Sequence, residues 1–146
     1  VQFIWQTGGY YFAHIQEQLK LKGQPDNLFV TDFIAKMEDA YAAADVVISR
    51  AGASSISELC LLGKPAILVP SPNVAALALV DKQAALYVKD DEAVDKLIGL
   101  ALNVIRDVDK LSALGRNIKA MAFTDSADRI AEEVCKLAVA YRENRD

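Results

Sequence analysis

Histidine and cysteine are scarce in this chain: its 146 residues include one histidine, His14, and two cysteines, Cys60 and Cys135. A His/Cys cluster with metal-ligand spacing cannot be assembled from so few, so no metal site is expected. The cysteines lie far apart, each in an apolar, helix-like stretch. That predicts buried free thiols rather than a bridge, as suits a reducing cytoplasm. Proline and glycine are also few, 4 and 7, while 53% of residues are hydrophobic and 25% charged. Such a composition excludes disordered, collagenous and low-complexity chains. Acidic residues outnumber basic ones, for a net charge of -4. No basic field is left to neutralise a nucleic-acid backbone, and no nucleic-acid partner is expected. No apolar run reaches the roughly eighteen residues of a membrane helix. Val1-Gln2-Phe3-Ile4-Trp5 lacks the basic flank and cleavage site of a signal peptide. Those first residues already read as a strand with no Met before them, which predicts a piece of a longer protein. The length suits one domain with a continuous core.

What is present is an alternation of short strands and helices. Val1 to Gln6 is β-prone and closed by Thr7-Gly8-Gly9. Tyr11, Ile15 and Leu19 then recur at helical spacing until Gly23-Gln24-Pro25 stops them. A strand over Asn27 to Phe33 follows, then a small helix over Met37 to Ala44 and a strand over Val46 to Ser49. The spacing next predicts a helix from Ser54 to Leu62 ended by Gly63-Lys64-Pro65, and a strand over Ala66 to Val69. Beyond it come a helix over Ala76 to Ala84, a strand over Ala85 to Val88 and a helix over Asp91 to Asn103. Two further helices complete the chain. In the last of them Ala127, Ile130, Ala131, Val134, Leu137, Ala138 and Tyr141 share one stripe, expected to be core or interdomain packing, with Asp125 or Ser126 as cap. Strands that are apolar without alternation belong to a parallel sheet covered on both faces. The expected fold is α/β, a Rossmann-like parallel sheet with helices on both faces.

Ligands of open parallel sheets bind beyond the carboxyl ends of the strands. The turn after Ile48 stands out there: Ser49-Arg50-Ala51-Gly52-Ala53-Ser54-Ser55-Ile56-Ser57-Glu58. Small residues permit close approach to the backbone, and the free amides and dipole of a helix start favour a pyrophosphate. Ser54 and Ser55 add hydroxyl donors. Glu58, about one turn further, can offer two carboxylate oxygens to a vicinal diol such as a ribose. The same Ser55-x-x-Glu58 is equally a capping box that satisfies backbone amides and nothing else, and the motif alone leaves both readings open. Arg50 at the strand end is either a phosphate partner or simply solvated or paired. Trp5, Tyr10 and Tyr11 are either stacking or packing residues, and His14 is a surface helix residue. No Gly-x-Gly-x-x-Gly turn is present, which argues against a dinucleotide enzyme.

A longer pattern extends well beyond this turn. It comprises Val30-Thr31-Asp32-Phe33-Ile34, Met37, the run from Ala40 through Ala53, Ser57-Glu58, Gly63-Lys64-Pro65-Ala66 and Val69-Pro70. It reaches back to Gln6-Thr7-Gly8 and forward to Asp128-Arg129-Ile130-Ala131. This pattern resembles the C-terminal domain of MurG-type N-acetylglucosaminyltransferases. The resemblance implies the C-terminal half of a two-domain GT-B fold, with residues 1–146 binding UDP-N-acetylglucosamine without cofactor or metal. It implies that Phe33 and Ile34 lie at the uracil, that Glu58 holds the ribose hydroxyls, and that Gly52, Ala53, Ser54 and Ser55 line the diphosphate and sugar. Thr7 and Gly8 would complete the site, with Arg50 beside the phosphates. The family's activity converts lipid I to lipid II in peptidoglycan synthesis, at the cytoplasmic face of the membrane and by peripheral contact. Its acceptor site and proposed base lie in an N-terminal domain, and its first strand and glycine-rich loop lie ahead of Val1. No catalytic residue is therefore assigned here. Two alternatives share the Glu58 contact or the fold: another UDP-sugar enzyme, such as a different GT-B transferase or a UDP-N-acetylglucosamine epimerase, and a nucleotide-binding module without chemistry.

The sequence departs from the family at Gly9, where the family often has lysine, and again after β-prone Ala66 to Val69. After Val69-Pro70 the family has a longer polar loop carrying an acidic residue, His, Gln and Asn. Here Ser71-Pro72-Asn73-Val74-Ala75 runs straight into Ala76-Leu77. Either the loop is deleted or a segment is left out between Ala75 and Ala76; the second is expected, with Ala75 and Ala76 not bonded.

Overall fold

The structure, a computed structural model, describes residues 1–69 and 74–143. Its elements run β1 (Phe3–Gln6), α1 (Gly9–Lys22), β2 (Leu28–Thr31), α2 (Met37–Ala43), β3 (Val47–Arg50), α3 (Ala53–Leu62), β4 (Ala66–Val69), α4 (Val74–Asp81) and β5 (Leu86–Tyr87). A short 3-10 turn, Asp90–Glu92, leads into α5 (Ala93–Ile105), α6 (Val108–Lys119) and α7 (Ser126–Glu143). Every strand pairing is parallel.

The core is built around β4. All four of its residues are buried, as a strand covered on both faces requires. Side chains alternate along a strand, and they divide here accordingly. Ala66 and Leu68 join a cluster with Tyr41 of α2, Leu59 and Cys60 of α3, Leu79 of α4 and Ile118 of α6. Ile67, between them, faces Val88 and Ala101, with Leu97 and Leu100 of α5 packed alongside. The expected helices on both faces are therefore present around β3, β4 and β5. Gly63 ends α3 in the left-handed region at φ 66, and the Lys64 amide donates to the Leu59 carbonyl at 3.1 Å. Pro65 then prevents any continuation of the helix.

The sheet is in two pieces. Among the described residues β1 pairs only with β2, and β3, β4 and β5 form a separate set, with no ladder from β2 to β3. The β1–β2 pair is thinly covered: Ile4 is 51% and Phe29 62% exposed, and α1 buries none of its residues.

Two expectations are corrected. The stripe on α7 is not core: Ile130, Val134, Leu137 and Tyr141 are all exposed. Periodicity reports which face is apolar and cannot report whether anything covers it. Cys60 is a buried free thiol as expected, with burial pushing its pKa up, but Cys135 on α7 is exposed for the same reason as the stripe. The departure at residues 70–73 lies outside the described residues.

Candidate functional site at the start of α3

The chain leaves β3 at Arg50, turns through Ala51 and Gly52, and enters α3 at Ala53. Ala51 is fully buried, and its amide donates to the Val69 carbonyl at 3.0 Å, which fixes the turn to the end of β4. Gly52 is the N-cap residue and has no side chain with which to cap. The first amide to bond back into the helix is that of Ile56, to the Gly52 carbonyl at 3.0 Å. The amides of Ala53, Ser54 and Ser55 thus have no intrahelical acceptor, as at any helix start. No side chain caps them. Ser57 donates to the Ala53 carbonyl and Ser49 to that of Arg50. The hydroxyls of Ser54 and Ser55 have no hydrogen-bond partner among the described residues. A Cβ built on Gly52 would meet only the Ser55 hydroxyl, at 3.8 Å, so the backbone here is open to close approach.

The two readings of Ser55-x-x-Glu58 separate on this geometry. A capping box needs its serine at the N-cap and its glutamate three residues on. Here the N-cap is Gly52, and both Ser55 and Glu58 lie inside α3. The Glu58 carboxylate goes elsewhere: its Oε2 accepts the Tyr41 hydroxyl at 2.9 Å. No other group among the described residues hydrogen-bonds to that carboxylate, and no cation pairs with it. One oxygen is held and the other is open, in an exposed residue.

Tyr41 is the one buried residue of α2, at 8% exposure. Its phenol is pushed up to about 12, by burial first and then by the hydrogen bond and charge of Glu58, which favour the protonated form. A second tie docks α2 on α3, because the Lys64 ammonium donates to the Ala44 carbonyl at 2.9 Å. Sequence reasoning did not single out Tyr41 or Lys64. The available signal was a lone aromatic in a small helix of alanines and acids that opens on Met37, whose hydroxyl must find a partner once buried.

The other predicted residues fall into two places. Arg50 sits beside the α3 start, but its guanidinium is paired with Asp90 on the turn ahead of α5, so the paired reading holds. Thr7 and Gly8 lie at the end of β1 against the end of β2. The Thr7 hydroxyl is within 3.1 Å of the Gly8 carbonyl and 3.3 Å of that of Thr31, and the Gly8 amide donates to Asp32 O at 3.1 Å. Gly8 has φ 75, which a residue with a Cβ resists. Phe33 is 70% exposed, with its amide on the Asp32 carboxylate at 2.8 Å. The Ile34 amide donates to Gln6 Oε1 at 2.9 Å, so its donor is occupied by a side chain that sequence reasoning did not single out. Thr7, Gly8, Phe33 and Ile34 thus form one group, and Arg50, Gly52 to Ser55 and Glu58 another. No hydrogen bond or ion pair joins the two among the described residues.

Elsewhere, a cavity of about 540 Å³ lies between Val80, Leu86, Tyr87 and Leu114 and shares no residue with either group. Among the described residues no three His, Cys, Asp or Glu side chains come together to hold a metal. Among them, too, no helix is long and apolar enough to cross a membrane.

Parallel strands, helices on both faces of β4 and an open helix start at a strand's carboxyl end define an α/β domain of the class that binds nucleotides at such turns. The chain belongs to the glycosyltransferase family 28 C-terminal domain, which residues 1–130 match. It is 59% identical, over 96% of its length, to the UDP-N-acetylglucosamine--N-acetylmuramyl-(pentapeptide) pyrophosphoryl-undecaprenol N-acetylglucosamine transferase of Bacteroides thetaiotaomicron, covering 40% of that protein. The protein of the same name from Bacteroides fragilis is 61% identical over 94% of this chain and 38% of its own length. The chain therefore spans about two fifths of the length of these curated relatives. The first alignment, of 147 residues, is longer than the chain, so that relative carries residues with no counterpart here. The crystal structure of Acinetobacter baumannii MurG superposes with a TM-score of 0.75, covering 91% of this chain and 42% of that one. At 23% identity that likeness establishes the fold.

Proposed function

We propose that this chain is the donor-binding domain of an inverting N-acetylglucosaminyltransferase that converts lipid I to lipid II in peptidoglycan synthesis. The observation that carries the reading is Glu58: a carboxylate with one oxygen held by Tyr41 and one open, within the same helix whose first amides are uncapped. A nucleoside diphosphate matches both features, with its phosphates over Gly52, Ala53, Ser54 and Ser55 and its ribose diol on Glu58. The uracil falls to Phe33 and Ile34, with Thr7 and Gly8 nearby, and Gln6 yields the Ile34 amide when the base arrives. Arg50 is the weakest member, since its charge is already offset by Asp90.

When the acceptor hydroxyl attacks the sugar, negative charge develops on the departing UDP. Amides and hydroxyls aimed at that position stabilise it without reorganising. That is this domain's share of the reaction. The base, the lipid-linked acceptor and the peripheral contact with the cytoplasmic membrane face belong to the rest of the protein. The names of the relatives, all transferases of this kind, support this reading over an epimerase or a module without chemistry.

The open strand edges support a domain completed from outside residues 1–146. In the doubly wound strand order 3-2-1-4-5-6 the first strand is central. The pairings β2-β1 and β3-β4-β5 are those of the two flanks of that order.

Calorimetric titration with UDP and UDP-N-acetylglucosamine tests the assignment. Glu58→Ala is expected to weaken both by about 1–3 kcal/mol, the worth of charge-assisted hydrogen bonds. Unchanged affinity in the intact polypeptide would remove Glu58 from the site and the reading with it.

A further inference from the structure

We infer that Tyr41 is a positioning residue for nucleotide recognition: through its hydroxyl it holds the Glu58 carboxylate in the orientation that a ribose diol requires. The inference rests on the proposed function and adds to it a residue on a different helix.

The argument begins with freedom. Glu58 is exposed on α3, and a glutamate in water samples several rotamers at little cost. Binding a diol with both oxygens would freeze those rotamers and lose affinity. In this structure one contact removes that freedom beforehand, the Tyr41 hydroxyl at 2.9 Å from Oε2. The donor is itself immobile. Tyr41 is buried in the cluster that contains Leu59 and Cys60 of α3 and Ala66 and Leu68 of β4, so its ring is fixed by the core on which Glu58's own helix rests. The hydrogen bond from the Lys64 ammonium to the Ala44 carbonyl keeps α2 in register with α3 just beyond Tyr41. The hydroxyl takes a single lone pair of Oε2 and leaves Oε1 untouched, which preserves acceptor capacity for two ligand hydroxyls. A lysine or arginine in its place would also have neutralised the carboxylate. A neutral phenol orients it and leaves its charge available.

A purely structural account is that the buried phenol needs some acceptor and Glu58 supplies one. The two accounts differ in what Tyr41→Phe does to ligands with and without the diol. The experiment measures binding of UDP, and of a uridine diphosphate lacking both ribose hydroxyls, to the intact polypeptide carrying Tyr41→Phe, Glu58→Ala or both, with melting temperatures alongside. Tyr41→Phe is expected to weaken UDP about 3- to 10-fold, the worth of one hydrogen bond. It should leave the diol-free nucleotide unchanged and add nothing once Glu58 is alanine. Equal weakening of both nucleotides would make Tyr41 a structural residue and overturn the inference. So would unchanged UDP binding by Tyr41→Phe where Glu58→Ala is weakened, and in that case the donor-site reading survives. Unchanged UDP binding by Glu58→Ala would remove that reading and this inference together.

Discussion

Tyr41 titrates against the fold as well as serving the site. Its phenol, ordinarily near 10.0, is raised to about 12 in the folded chain. Below pH 10 it is protonated in both folded and unfolded states, and its contribution to stability is fully present. Between pH 10 and about 12 the unfolded chain releases the proton and the folded chain keeps it, so stability falls as pH rises through that window. Denaturant unfolding at a series of alkaline pH values should show wild type losing stability more steeply than Tyr41→Phe, and parallel curves would show that the shift belongs to another group. The structure removes the cap reading of Glu58: the N-cap of α3 is Gly52, and the Glu58 carboxylate accepts from Tyr41, seventeen positions away.

At the scale of elements, α3 is positioned by its two ends. Its start is tied by Ala51 to β4, and its end is turned by Gly63 against α6. A Cβ on Gly63 would lie 3.2 Å from the Lys119 side chain and 3.3 Å from the Gly115 carbonyl, and its φ of 66 disfavours any side chain. Gly63→Ala should therefore cost about 1–2 kcal/mol in equilibrium unfolding, mostly from the left-handed backbone. A neutral substitution would mean that the α3–α6 crossing relaxes without cost. α4 shows the limit of local signals. Its alanine-rich run predicts a helix to Ala84, yet the helix closes at Asp81, with Gln83 at φ 52 and the Ala84 amide on the Leu79 carbonyl at 2.8 Å. Ala84 and Ala85 are then free to enter the core beside Tyr41 and Leu68.

Over the whole molecule, stability is unevenly shared. Among the described residues, the set β3-β4-β5 with α3 to α6 holds nearly all the buried apolar side chains, whereas β1, α1, β2 and α7 contribute one, Val30. A helix gains most of its stability from the face it packs, and α7 packs none here. Deleting residues 126–146 should therefore change the unfolding free energy of this chain by about 1 kcal/mol or less. A large loss would mean that the stripe of Ile130, Val134 and Leu137 is covered in solution.

Much of this was fixed locally, and so was legible in the residues alone. Apolar strands without alternation announced a parallel sheet, Gly63 and Pro65 ended α3, and the small residues from Ala51 to Ser55 marked a strand-to-helix turn. These features depend on backbone sterics and on periodicity, which act over a few residues. Only the tertiary structure decided that Gly52 is the cap, that Glu58 faces Tyr41, that Arg50 is paired with Asp90, and that the α7 stripe and Cys135 lie open. Each of these depends on which surface another element brings within hydrogen-bonding or van der Waals range, and spacing along the chain carries no record of that.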